Sequence, residues 1–131
     1  MIDSFRSDFV FRLKCNLVTP LLAGEGCLVV FTEGPGGLSV PSVRSAREGD
    51  SRNEFAGLLL GHTELGEVTG AARPAYIWTD DYETWDHYKV GDPLYVSAYA
   101  RFKTRESSGG QIARVIVAPC AENPFMLVAL D

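Results

Sequence analysis

Turn formers decide what this chain can fold into. Thirteen glycines and seven prolines are spread along 131 residues rather than tracted, so they punctuate the sequence at short intervals. Between them lie apolar or alternating runs at residues 27–31, 38–43, 55–60, 75–79, 93–98, 111–117 and 125–130. Gly34-Pro35-Gly36-Gly37, Gly91-Asp92, Ser108-Gly109-Gly110 and Asn123-Pro124 separate several of them. Runs this short, closed by residues that favour positive φ or a fixed φ, predict strands joined by turns. The expected fold class is all-β, a single-domain small barrel or sandwich.

Residues 8–16 carry the clearest pattern. Phe9, Phe11, Leu13 and Cys15 alternate with Val10, Arg12, Lys14 and Asn16, a period of two that puts one apolar row on a single sheet face. Pro41 removes a ladder donor from the run at 38–43 and marks it as an edge or a strand end. Residues 45–54 are polar and charged and read as an exposed loop. The run at 55–60, closed by Gly61, is too short for a helix. Residues 75–90 lack Gly and Pro and hold Asp80, Asp81, Glu83 and Asp86, so a short helix capped by Thr79 is allowed there. Residues 1–8 show no clear pattern and are expected to form a mobile N-terminal arm in front of a β domain at 9–131.

Composition narrows the function classes. With 46% hydrophobic and 22% charged residues, the chain buries enough surface for one compact domain. Twelve basic against 17 acidic residues give a net charge of -5, and the basic ones are scattered. Without a basic patch, nucleic acid is not an expected partner. No apolar run approaches the ~18 residues that a membrane helix needs, so no membrane association is expected. Asp3, Arg6 and Asp8 interrupt the place of a secretory signal, and the chain is expected to stay where it is made.

Candidate chemistry is sparse. Cys15, Cys27 and Cys120 form no C-x-x-C pair and have no His at ligand spacing, so buried reduced thiols are expected, with no metal and no cofactor. His62 lies in His62-Thr63-Glu64-Leu65-Gly66-Glu67, where a zincin would need a second His at i+4; the glycines around it predict a solvated turn. Asp80-Asp81-Tyr82-Glu83-Thr84-Trp85-Asp86-His87 gathers four carboxylates near an imidazole but lacks the EF-hand order, so a structural cap is the simpler reading. Tyr82, Trp85 and Tyr88, three residues apart, would share one face of a helical turn as core, lid or interface. Gly37-Leu38-Ser39-Val40-Pro41 puts Pro where a nucleophile elbow closes with Gly. Gly34-Pro35-Gly36-Gly37 is not followed by the Lys and hydroxyl of a phosphate loop.

The order of strands and turns resembles that of the capsid decoration, or cement, proteins of tailed bacteriophages. Gly26-Cys27-Leu28-Val29-Val30 is similar to an opening strand of that family, and Phe55-Ala56-Gly57-Leu58-Leu59 to a later strand broken by Gly. Tyr88-Lys89-Val90-Gly91-Asp92-Pro93-Leu94-Tyr95-Val96 resembles a Gly-Asp turn feeding a strand. Lys103-Thr104, Ile112-Ala113-Arg114-Val115-Ile116 and the terminal run 125–130 follow it, so the resemblance spans residues 26–130. The loop at 45–54 and the aromatic, acidic insert 76–88 depart from the pattern and leave the place of any capsid contact open.

The resemblance implies a non-enzymatic protein that binds the major capsid protein on the outer surface of the virion, as a homo-oligomer made in the host cytoplasm. An ordering arm would add lattice contacts, and its candidates are Phe5 and Phe9 as apolar anchors with Arg6 and Arg12 as partners for carboxylates. Two other classes stay open: a metal-dependent or acid-base enzyme using His62 or His87, and a β-rich ligand-binding module.

Overall fold

A computed structural model describes residues 2–6, 12–17, 28–32, 42–62, 67–71 and 75–130. Eleven strands are present among them: β1 (Ile2–Arg6), β2 (Arg12–Leu17), β3 (Leu28–Thr32), β4 (Ser42–Ser45), β5 (Phe55–His62), β6 (Glu67–Ala71), β7 (Ala75–Thr79), β8 (Pro93–Val96), β9 (Phe102–Lys103), β10 (Ala113–Val117) and β11 (Met126–Leu130). A 3-10 turn at Arg52–Glu54 leads into β5, and the described residues contain no α-helix. None of their helices is long and apolar enough to cross a membrane.

The strands form two sheets. One is a closed barrel in the order β2-β4-β3-β5-β6, with β6 returning to β2. Among the described residues its one parallel pairing is β2 with β4, through Asn16–Ser42 and Leu17–Val43. The other is a six-stranded antiparallel sheet in the order β1-β7-β11-β10-β8-β9. The all-β barrel or sandwich expected from the turn spacing is therefore the observed class.

Alternation sets the buried face of β7, β8, β10 and β11 in the second sheet. Ile77 and Thr79 of β7, Leu94 and Val96 of β8, Ala113 and Val115 of β10, and Met126, Val128 and Leu130 of β11 are all buried, while Tyr76, Pro93 and Arg114 point outward. Leu28 and Val30 of β3 and Phe55 and Leu58 of β5 pack into the same cluster, so one core joins barrel and sheet. Val29, on the other face of β3, is also buried. A strand covered on both faces reads as an unbroken apolar run, which is why Leu28, Val29 and Val30 show no alternation.

Backbone hydrogen bonds link the two layers. Leu28 N of the barrel donates to Ala100 O, in the turn between β8 and β9, at 3.0 Å. Arg52 N donates to Gly109 O at 2.8 Å, which joins the loop after β4 to the loop after β9. Arg44 staples the first of these loops with a two-pronged pair to Asp50, at 2.9 and 2.8 Å.

Four expectations are corrected. Residues Ile2–Arg6 are an edge strand paired antiparallel with β7, from Ile2–Thr79 to Arg6–Tyr76, rather than part of an arm. An edge position needs only one hydrogen-bonded side, so β1 forms without a strong apolar pattern. The possible helix in 75–90 is absent: Thr79 Oγ1 accepts from Asp81 N at 3.0 Å and turns the chain into an extended stretch beside β9. Phe102 N donates to Asp81 O at 3.1 Å and Phe102 O accepts from Glu83 N at 2.9 Å, which uses the groups a helix would need. Third, β5 runs through Gly61 to His62, which pairs with Val68, so His62 ends a strand instead of sitting in a turn. Fourth, Cys120 is exposed, in a turn closed by reciprocal hydrogen bonds with Asn123 at 2.9 and 3.1 Å. Cys27 and Gly34-Pro35-Gly36-Gly37 lie outside the described residues, and Cys15 falls in β2.

Candidate functional site

The insert after β7 and the turn after β8 build the most distinctive surface. Glu83 is only 5% exposed, although it is charged. Its Oε1 accepts from Ser97 Oγ at 2.7 Å and its Oε2 accepts from Trp85 Nε1 at 3.1 Å, which offsets the cost of burying the carboxylate. Tyr88 OH donates to Glu83 O at 2.8 Å. Tyr82 and Tyr88 meet edge to face with centroids 5.0 Å apart, and Tyr82 OH donates to Pro124 O at 2.6 Å.

These contacts divide the three aromatics of the insert. Tyr82 and Tyr88 pack against the core, whereas Trp85 is 56% exposed. They do not share a helical face, because the chain is extended from Asp80 and bends only at 84–86. Burial pushes the Tyr88 phenol well above its ordinary range, and the carboxylates of Asp86 and Glu83 push the same way, so it stays a hydrogen-bond donor.

Opposite Trp85 stands Tyr99, 64% exposed at the tip of the turn 97–101. Ser97 Oγ accepts from Tyr99 N and from Arg101 N, each at 3.2 Å, while its hydroxyl donates to Glu83. Ala100 in this turn has φ 58, a left-handed conformation that an alanine holds only where its surroundings fix it. It is fully buried, its N–H donates to Ser97 O at 3.2 Å, and its carbonyl accepts from Leu28. The turn is thus tied to Glu83, to itself and to β3, and it presents Tyr99 from a fixed base.

Between Trp85 and Tyr99 lies a pocket of about 160 Å³ whose polar lining is Glu48, Glu83, Ser97, Lys103 and Arg105. The Lys103 side chain is 4% exposed and pairs with Glu48 Oε1 at 2.5 Å. The Arg105 guanidinium lies over the Trp85 ring, 5.6 Å from its centroid. A wider, shallower groove of about 560 Å³ runs past Tyr82, Asp86, His87, Lys89 and Cys120.

The residues singled out from the sequence are dispersed. His87 is exposed in the wide groove. The neighbouring Asp86 carboxylate is occupied, accepting from Thr104 N at 2.6 Å, from Thr104 Oγ1 at 2.7 Å and from His87's own backbone N–H at 2.9 Å. No group of three His, Cys, Asp or Glu among the described residues is arranged to hold a metal ion. Phe5 and Arg6 lie in β1, Arg12 opens β2, and Phe9 falls outside the described residues. Tyr99, Lys103, Arg105 and Glu48 were not among the sequence candidates. The one available signal was a Tyr two residues after a Ser in a short gap between strand runs, with two basic residues close behind.

Asp86 and Asp50 carry a pH dependence. Burial alone pushes the Asp86 carboxyl up, but hydrogen bonds from Thr104 and His87 and the charge of Arg105 outweigh it and hold it below its ordinary 3.8. Asp50 follows the same balance: burial raises it, and the bonds from Arg44 and Arg47 bring it below 3.8. A carboxyl depressed on folding stabilises the fold above its unfolded value, and this contribution is lost as pH falls through the folded value. The urea midpoint is therefore expected to drop as pH falls below about 4, and Asp86→Asn is expected to flatten that part of the profile. An acid profile unchanged in the variant would remove Asp86 from this account.

Compared with known proteins, the chain matches no protein-family model and no curated sequence.

Proposed function

We propose that this protein is a non-enzymatic capsid decoration protein, which attaches to the major capsid protein on the outside of a tailed-phage head and reinforces it as a symmetric oligomer. The observation that carries the reading is the exposed Trp85–Tyr99–Arg105 patch, presented by loops that hydrogen bonds hold in place. Trp, Tyr and Arg are the side chains that dominate binding energy at protein interfaces, and a fixed presentation lowers the entropy lost on docking. The resemblance in strand order supports the choice of partner.

This reading moves the expected contact away from the N-terminal segment. Because β1 pairs with β7, removing residues 1–7 would take away an edge strand and would not be a clean test of capsid contact. The direct experiment is co-sedimentation of the intact protein with undecorated, expanded heads. Saturable binding at a fixed ratio to capsid subunits is expected. If the intact protein stays in the supernatant over the accessible concentration range, the decoration reading fails.

A further inference from the structure

The pocket between Trp85 and Tyr99 contains an ion pair of unequal partners. Lys103 is almost fully buried, while the Glu48 side chain that neutralises it is 50% exposed. An ammonium has three donors, and Glu48 is its one hydrogen-bonding or ion-pairing partner among the described residues. Glu83 lines the same pocket, with its two oxygens already accepting from Ser97 and Trp85. Lys103 and Arg105 against Glu83 and Glu48 make the pocket neutral as it stands. With the Glu48 side chain swung out it holds one uncompensated positive charge.

The loop under Glu48 is fixed by the Arg44–Asp50 staple and by the bond from Arg52 N to Gly109 O, so the movable part is the side chain. We propose that this pocket receives an acidic side chain of the partner protein, which replaces Glu48 on Lys103 Nζ and is enclosed by Trp85 and Tyr99. The inference rests on the protein-docking reading above and supplies the chemistry of the contact. The pocket's volume of about 160 Å³ is enough for one carboxylate side chain and too small for a folded element. The incoming carboxylate restores neutrality, and its enclosure by the two rings removes water that would screen the pair. Glu48 then acts as a resident stand-in, keeping Lys103 paired until the partner arrives.

The experiment titrates acetyl-glutamyl amide, with acetyl-glutaminyl amide as the uncharged control, and follows the Trp85 indole N–H by NMR. A saturable shift with the acidic probe alone is expected, with a dissociation constant on the order of millimolar, as suits so small a fragment. Glu48→Gln removes the competitor and is expected to tighten binding about tenfold; Lys103→Met is expected to abolish it. Glu48 is a surface residue, so its variant keeps the test valid even if Lys103→Met fails to fold. Equal shifts from both probes, or the same affinity in Glu48→Gln as in the unaltered protein, would overturn the proposal.

Co-sedimentation separates this inference from the decoration reading. If the intact protein sediments with heads and Lys103→Met, folded, sediments equally well, the pocket inference falls and decoration stands. If the acidic probe binds as described and the intact protein ignores heads, decoration falls and the pocket stands with another protein partner.

Discussion

Replacing Gly109 with alanine is expected to cost about 3 kcal/mol of stability and lower the melting temperature by about 10 °C. A Cβ built on Gly109 would lie 1.7 Å from the carbonyl oxygen of Asp50 and 2.7 Å from its carbon. Both are backbone atoms, so no side-chain rotation can clear the overlap. The loops themselves are tied, by Arg52 N to Gly109 O on one side and by the Arg44–Asp50 staple on the other. Relief requires separating them, which breaks one bond and loosens the base of Glu48. Gly91 makes a useful contrast. Its φ of +91 is unfavourable for alanine, yet a Cβ there would meet nothing within 4 Å. Gly91→Ala should therefore cost only about 1 kcal/mol, the backbone term alone. Urea denaturation of the two variants side by side measures the difference; a Gly109→Ala variant no weaker than Gly91→Ala would show that the loops separate freely.

Strands of four or five residues with alternating apolar letters were legible in the sequence, and strands that are very short or whose letters carry no apolar alternation were not. Ala75–Thr79 reads as a strand because Ile77 and Thr79 face the core and Tyr76 faces water. Val115 and Val128 give the same signal in β10 and β11. By contrast, β6 spells Glu67-Val68-Thr69-Gly70-Ala71, with a single large apolar residue, and exists because β2 and β5 flank it to close the barrel. The two-residue β9 is too short for any period, and β1 is an edge. No local pattern encodes a partner so distant along the chain.

The site was less legible for a related reason. Acidic residues and aromatics at a spacing of three satisfy the rule for a helical turn, and the same letters serve an extended stretch once Phe102 supplies the hydrogen bonds. Glu83 looked like one of four interchangeable carboxylates. Its burial depends on Ser97, fourteen residues later, and the Lys103–Glu48 pair joins residues 55 apart. The Gly91-Asp92 turn, read correctly from two letters, is the opposite case. Asp92 accepts from Lys89 N at 2.9 Å, and the turn also engages β10 through Gly91 N to Val115 O at 2.8 Å. Local chemistry could announce the turn, while only the fold could place it.

If the protein docks on phage heads as proposed, truncating Trp85 to alanine is expected to weaken attachment to undecorated heads by about 2 to 4 kcal/mol per site, roughly 30- to 1,000-fold, while leaving the fold intact. The ring is 56% exposed, so its removal opens no core cavity. What is lost in the free protein is one hydrogen bond, Trp85 Nε1 to Glu83 Oε2 at 3.1 Å, and the stacking of Arg105. The Glu83 carboxylate keeps its bond from Ser97. Tyr99→Ala should follow the same direction with a smaller effect, since the bonds that shape its turn come from backbone groups and Ser97 and survive truncation. His87→Ala, altering an exposed ring in the separate groove, serves as a surface control and should bind like the unaltered protein. In the proposed symmetric oligomer each subunit would carry the same patch, so losses per site would compound when several sites engage the lattice together. Binding isotherms on heads, with circular dichroism to verify folding, decide the matter. If folded Trp85→Ala binds with undiminished affinity, the patch is not the contact surface.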